Sequence, residues 1–126
     1  IMMAKKNNEL ATENRASKAI TKHVRVSSYK ANKVAQEIRG KSATFAISLL
    51  AHMPQKSARL LLKTLKSAVA NANDLHKLTA DELYVKSVAV DRAKSYRRYK
   101  MRARGRINMV HRPVSHLSVC VEERLG

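Results

Sequence analysis

The stretch from Arg92 to Arg112 limits the possible folds of this chain more than any other. Between Asp91 and Glu122 there is no acidic residue, while Arg92, Lys94, Arg97, Arg98, Lys100, Arg102, Arg104, Arg106 and Arg112 are all basic. Cations at that density repel one another and cannot lie on the chain's own core, so the fold has to hold them out in solvent. On either side, Leu83-Tyr84-Val85-Lys86-Ser87-Val88-Ala89-Val90 and Val114-Ser115-His116-Leu117-Ser118-Val119-Cys120-Val121 have the β-branched, alternating character of strands. The whole reads as one long β-hairpin. A disordered basic loop is the alternative, but it would leave two strand-like arms serving nothing.

Arms of roughly ten residues at about 3.3 Å each reach on the order of 30 Å, about the width of a small domain. The far half has no aliphatic alternation to bury, so it is expected to be poorly ordered until a polyanion surrounds it. Arginine dominates over lysine there, which favours planar, bidentate contacts with phosphate and stacking on bases. Tyr96 and Tyr99 add stacking surfaces among the arginines. Gly105 suits the tip, and Pro113, which has no N–H for a ladder, marks an edge or bulge near the root. In the returning arm Leu117, Val119 and Val121 share the face to be buried, with His116, Ser118 and Cys120 on the other.

The formal charge of +17 and pI near 10.6 point to a nucleic acid as partner. An anionic membrane fits less well, because no run approaches the roughly 18 apolar residues of a spanning helix and the hairpin has no Leu/Phe/Trp face to insert. Membrane insertion is therefore not expected. With 126 residues, 44% of them hydrophobic, the chain suits one domain with a modest core. Cys120 is the only cysteine, so no intrachain disulfide and no cysteine-based zinc cluster can form. Met2 to Ala19 is polar and holds no apolar signal-peptide core.

Residues 1–22 are expected to be a flexible basic N-terminal tail, or alternatively a frayed helix, because large apolar residues are few and no period is sustained. Residues 23–126 form the single domain, with the extended hairpin at about 84–121. His23-Val24-Arg25-Val26 alternates as an edge or third strand beside the hairpin arms. Ser27 or Ser28 caps a first helix with Ala31, Val34, Ala35 and Ile38 on its apolar face, and Arg39-Gly40 stops it. Lys30 and Lys33 on the opposite face are either solvated lysines or phosphate contacts. Ser42 caps a shorter helix through Phe45, Ile47, Leu49, Leu50 and Met53, ended by Pro54. From Lys56, the positions Ala58, Leu61, Leu62, Leu65, Ala68, Val69, Ala72 and Leu75 fall at steps of three and four over about five turns, giving the core helix. Lys56, Arg59, Lys63 and Lys66 follow the same spacing on its other side as a basic ridge, either a solvated face or a second RNA contact. Asp74, Asp81 and Glu82 read as turn and solubility residues.

Nothing in this pattern proposes a reaction. His52, His76, His111 and His116 are scattered, with no H-x-x-x-H pair, no Gly-rich phosphate loop and no paired carboxylates, so no catalytic residue, metal site or cofactor is expected and the chain reads as a non-enzyme.

Ile38-Arg39-Gly40-Lys41 closing the first helix, Lys66-Ser67-Ala68-Val69-Ala70-Asn71-Ala72 in the core helix, Arg102-Ala103-Arg104-Gly105-Arg106 at the tip and Ser115-His116-Leu117-Ser118-Val119 in the returning strand occur in a telling order and spacing. Together they resemble the family of bacterial-type large-subunit ribosomal protein twenty-two, over roughly Val24 to Glu122. The resemblance implies an α+β fold with three helices packed on a small three-stranded antiparallel sheet and a long protruding basic β-hairpin. It implies a structural constituent of the large ribosomal subunit that binds 23S-type rRNA, aids its assembly, and helps line the nascent-peptide exit tunnel near the macrolide site. Expected partners are large-subunit rRNA, neighbouring large-subunit proteins and the nascent peptide, in a cytoplasmic or alternatively an organellar ribosome. The expected rRNA-binding residues are Arg25, Lys30, Lys33, Lys56, Arg59, Lys63, Lys66, Arg92, Lys94, Arg97, Arg98, Lys100, Arg102, Arg104, Arg106, Arg112 and His116. By position the tunnel-facing tip falls on Tyr99, Lys100, Met101, Arg102, Ala103, Arg104, Gly105 and Arg106. Composition also admits a basic DNA-binding or architectural protein, since a basic β-ribbon fits a DNA groove.

Overall fold

The computed structural model describes residues 15–124. Strand β1 (Ala16–Val24) leads into helices α1 (Ser28–Ile38), α2 (Ala43–His52) and α3 (Lys56–His76), followed by strands β2 (Leu83–Arg92), β3 (Tyr96–Met101), β4 (Ile107–Arg112) and β5 (Ser115–Glu123). The fold is α+β. β1, β5 and β2 form a three-stranded antiparallel sheet with β5 in the centre, and β3 and β4 pair as a two-stranded extension.

Helix α3 forms because its apolar residues recur at helical spacing, and it buries Ala58, Leu61, Leu65, Ala68 and Ala72 completely. The small side chains let it lie close to β1 and β5, and Leu61 and Leu65 fill the space between. Helix α1 buries Ala31, Val34, Ala35 and Ile38 against β2. Helix α2 is shorter, with the Ser42 hydroxyl accepting from the Phe45 N–H at 3.3 Å as its cap. Its buried stripe is Ala43, Ala46 and Leu50, while Phe45 is exposed beneath the Lys41 ammonium, 5.9 Å from the ring centroid. Leu75, at the end of the periodic run in α3, is likewise exposed.

The sheet carries two irregularities. Register shifts between Val85 and Ser87, so β2 points Leu83 and Val85 inward, skips one residue, and resumes with Val88. β1 breaks between Thr21 and Val24, with His23 at φ 57°. The outer edge of β2 is covered: the Gly40 N–H donates to the Val85 carbonyl at 2.9 Å, and the Val85 N–H donates to the Lys41 carbonyl at 2.8 Å. Arg39 adds two bonds to the Val88 carbonyl, from Nε at 3.1 Å and Nη2 at 2.7 Å. Gly40 makes this link from φ 77°, which a glycine adopts without penalty.

The first strand differs from expectation. The boundary of the tail at residue 22 falls inside β1, which begins at Ala16, and Arg25-Val26 lies in the turn after it. The inward positions Ser17 and Ala19 are small and the large apolar Ile20 faces out, so the segment lacks the inward apolar alternation of a strand; pairing with β5 under α3 makes it one. The rest of the expected tail, residues 1–14, lies outside the described residues.

The hairpin is continuous across a break. β2 and β5 pair at its root, the Ala93 N–H donates to the Val114 carbonyl at 2.9 Å, and β3 and β4 then pair from Tyr96–Arg112 to Met101–Ile107. Pro113 sits at the break, where its missing N–H costs nothing. Contrary to the expected disorder, the far half has a regular ladder, helped by cross-strand pairs Tyr99–Met109 and Met101–Ile107 that share one face. No residue of β3 or β4 is buried. The tip turns through a short 3-10 stretch (Ala103–Gly105), closed by the Arg102 N–H on the Arg106 carbonyl at 2.6 Å, with Arg104 and Gly105 both at positive φ.

Candidate nucleic-acid interface

At the root of the hairpin, α1, the ends of α2 and α3, and the first part of the extension enclose a cleft of about 1070 Å³. Arg25 reaches it from the turn after β1, Lys30 and Lys33 from α1, Lys56 from the first residue of α3, Arg98 from β3 and Arg112 from β4. Six cations from the expected set therefore converge from four helices and strands and one turn, with Glu37 as the one carboxylate lining the cleft. The Lys56 ammonium is fixed on the Arg25 carbonyl at 3.0 Å. Two guanidinium groups, of Arg25 and Arg98, each lie over the Tyr96 ring at 5.5 Å from its centroid. The Lys33 ammonium sits 4.5 Å from the Tyr29 ring centroid.

The other expected cations form two further groups. Arg59, Lys63 and Lys66 stand exposed along the outward side of α3 and do not line the cleft. Arg92 and Lys94 at the break, and Arg97, Lys100, Arg102, Arg104 and Arg106 beyond it, are exposed along the hairpin. Ion pairs among the described residues join Arg15 to Glu123 at 3.6 Å and Lys86 to Glu122 at 3.4 Å, at the end of the sheet away from the hairpin. None of the expected interface cations takes part in them.

His116 is half-buried in β5, and its Nδ1 accepts the His23 N–H at 3.1 Å while the two rings meet edge to face, centroids 4.9 Å apart. That bond leaves the imidazole proton on Nε2. At the acidic end of the sheet, Tyr84 donates to Glu122 Oε2 at 2.9 Å, and this bond, then burial and the carboxylate's charge, push the phenol's pKa upward. Glu82 accepts the Thr79 N–H in a capping box and Asp81 accepts from Thr44, so both have structural partners.

The sequence reading missed the cleft's apolar lining, which includes Leu49 and Met53, because both sit at positions expected to be closed in the core of α2. Two helices start where the sequence places them, at Ser28 and Lys56, but the side-chain cap expected at Ser27 or Ser28 is not formed by Ser27. Neither Ser27 at α1 nor Gln55 at α3 caps its helix with a side-chain bond, neither first turn holds an acidic residue, and both residues line the cleft. The lack of acidic residues there was visible in the sequence; the meeting of the two helix starts was not.

The sequence model of the family described as "Ribosomal protein L22p/L17e" matches residues 19–122. The chain belongs to this family. Similar L22p/L17e proteins include the "Large ribosomal subunit protein uL22" of Akkermansia muciniphila, 46% identical over 109 residues that cover 86% of this chain and 97% of that protein. That of Methylacidiphilum infernorum is 43% identical over 85% of this chain and 94% of its own length. The uL22 of Rhodospirillum rubrum is 40% identical over 122 residues, 97% of each chain. Membership in the L22p/L17e family makes this chain a ribosomal structural component rather than an enzyme. No helix among the described residues is long and apolar enough to cross a membrane.

Proposed function

We propose that the protein is a structural constituent of the large ribosomal subunit that binds 23S-type rRNA, aids its assembly, and contributes its hairpin to the wall of the nascent-peptide exit tunnel near the macrolide site. The observation that carries the rRNA reading is the cleft at the hairpin root. Solvated cations spread apart to lower their repulsion; here Arg25, Lys30, Lys33, Lys56, Arg98 and Arg112 converge instead, and a polyanion offsets that cost. The ridge of Arg59, Lys63 and Lys66 extends the basic surface outward, and the hairpin cations extend it along the ladder. Binding free energy then comes mostly from counterion release and many individually modest phosphate contacts. His116 adds an Nε2–H donor near the root.

The tunnel role rests on family membership together with the exposure of every residue from Tyr99 to Arg106 at the end furthest from the core. The large-subunit proteins that this chain resembles support the large subunit as the site of assembly. Neighbouring large-subunit proteins and the nascent peptide are the remaining partners of this reading.

Sucrose-gradient fractionation of native lysate tests it directly: the chain is expected in the large-subunit peak and to stay there through a high-salt wash. Absence from that peak would sink the proposal. Competition distinguishes the DNA-binding alternative, since folded large-subunit rRNA fragments should displace duplex DNA at physiological salt and not the reverse.

A further inference from the structure

The cleft has a feature that phosphate binding alone does not explain: an apolar floor under a cationic rim. Leu49 and Met53 are only half-buried and line it together with buried Val26 and Val34. A surface that held only the phosphates of a duplex would meet a convex backbone, and apolar side chains at the bottom of a recess would touch nothing. The volume of about 1070 Å³ lies just above the roughly 300–1,000 Å³ range of sites that enclose a small molecule. A flat apolar body carrying anions on both sides would fill such a recess, and an unpaired nucleotide within an RNA strand has that composition.

We propose that the cleft takes one unpaired nucleotide of the bound RNA, its base against Leu49 and Met53 and its flanking phosphates held by Lys30, Lys56, Arg98 and Arg112. This rests on the rRNA-binding reading and adds to it the kind of RNA element recognised. The rim is suited to the two phosphates because it is built from opposite sides, with Lys30 and Lys56 from helices and Arg98 and Arg112 from the hairpin. The uncapped starts of α1 and α3 add backbone N–H groups and the positive ends of two helix dipoles to the same side of the balance. Glu37 opposes a phosphate at its own position and leaves that part of the cleft to hydrogen-bond donors on a base edge. An apolar floor meets the face of a base, so the site is selective for a base that is out of the stack, with Glu37 favouring bases whose edge presents a donor.

The test uses the whole chain and two RNA stems, one with a single bulged 2-aminopurine and the same stem fully paired. At about 200 mM salt, where binding through phosphates alone has weakened steeply, the bulged stem should bind about tenfold more tightly, the scale of burying roughly 55 Å² of apolar surface. The Met53 methyl resonance of the unaltered protein should shift with the bulged stem and stay in place with the paired one. In the doubly substituted Leu49→Gln, Met53→Gln protein the preference should fall to within about twofold at unchanged charge, the scale of a lost apolar contact. Equal binding of the two stems, with the Met53 methyl unmoved, overturns the proposal and leaves the rRNA reading standing. Failure of both stems to bind overturns both. The methyl measurement decides the matter even if the double substitution unfolds the chain.

Discussion

The root of the hairpin and its far half share one antiparallel path, yet they are held up by different things. β2 and β5 have α1 and α3 behind them, so Leu83, Val85, Val88, Leu117, Val119 and Val121 are buried and the register is fixed by which side chains must face inward. β3 and β4 have nothing behind them: every residue but half-buried Val110 is exposed, and only ladder bonds and cross-strand pairs specify their geometry. In one half the core fixes the strands, and in the other the ladder alone holds them. A substitution should therefore affect folding or binding according to the side of Pro113 on which it lies.

The largest effect that would test this division is in the core. Leu61→Ala removes a fully buried side chain from the centre of α3 and should lower unfolding free energy by about 2–5 kcal/mol in urea titration. A change below about 1 kcal/mol would break the comparison from the folded side. From the other side, replacing Arg102, Arg104 and Arg106 together by alanine should shift stability by no more than about 0.5 kcal/mol, since all three are exposed at the tip. The salt slope of rRNA binding should fall by about two units, the scale of three lost phosphate contacts on single-stranded RNA. Loss of folding in that variant would mean the hairpin is part of the core unit.

Two smaller effects sharpen the picture at the edges of the sheet. Arg39→Ala loses two bonds to the Val88 carbonyl and one to Asn32, on the partly exposed edge of β2, and should cost about 1 kcal/mol while leaving RNA affinity unchanged. If affinity falls instead, Arg39 belongs with the interface cations rather than with the strand edge. Tyr84→Phe removes the bond to Glu122 and should cost about 1 kcal/mol at neutral pH by urea titration. Because the folded-state phenol pKa is raised, the folded form holds its proton more tightly, so the bond's contribution is fully present below the ordinary tyrosine value of about 10 and is lost as pH rises through the folded pKa. The difference between Tyr84 and its phenylalanine variant should therefore shrink in strongly alkaline buffer.

What the sequence revealed follows from which forces are local. Helix α3 was legible because its period is carried by Leu61, Leu65, Ala68 and Ala72 themselves, and the arms of the hairpin because Val85, Val88, Val119 and Val121 prefer strands. β1 was not, because Ser17 and Ala19 become strand residues only through β5 and the helix above them. The one-residue shift at Lys86 was hidden for a related reason: a bulge is defined by the partner's register, which one strand does not contain. Phe45 and Leu75 were expected inside because periodicity records amphipathic spacing and not how far the neighbouring surface extends. The candidate cations were legible one by one, but their grouping into a cleft depends on where the root of the hairpin sets Arg98 and Arg112 relative to Lys30 and Lys33, about seventy positions earlier in the chain.

The break at residues 93–95 and Pro113 also gives the hairpin a mechanical character. Between the two ladders the backbone is tied by the Ala93–Val114 bond, so the extension is a lever with its pivot beside the cleft. Six residues of strand at about 3.3 Å each make an arm of roughly 20 Å, so a tilt of about 10° at the pivot carries the tip about 3–4 Å sideways. Arg112, in the first rung beyond that pivot, and Arg98, in the third, also form the hairpin side of the cleft. A ligand held by Arg98 and Arg112 would therefore grip the extension close to its base, where a small displacement is magnified most at the tip.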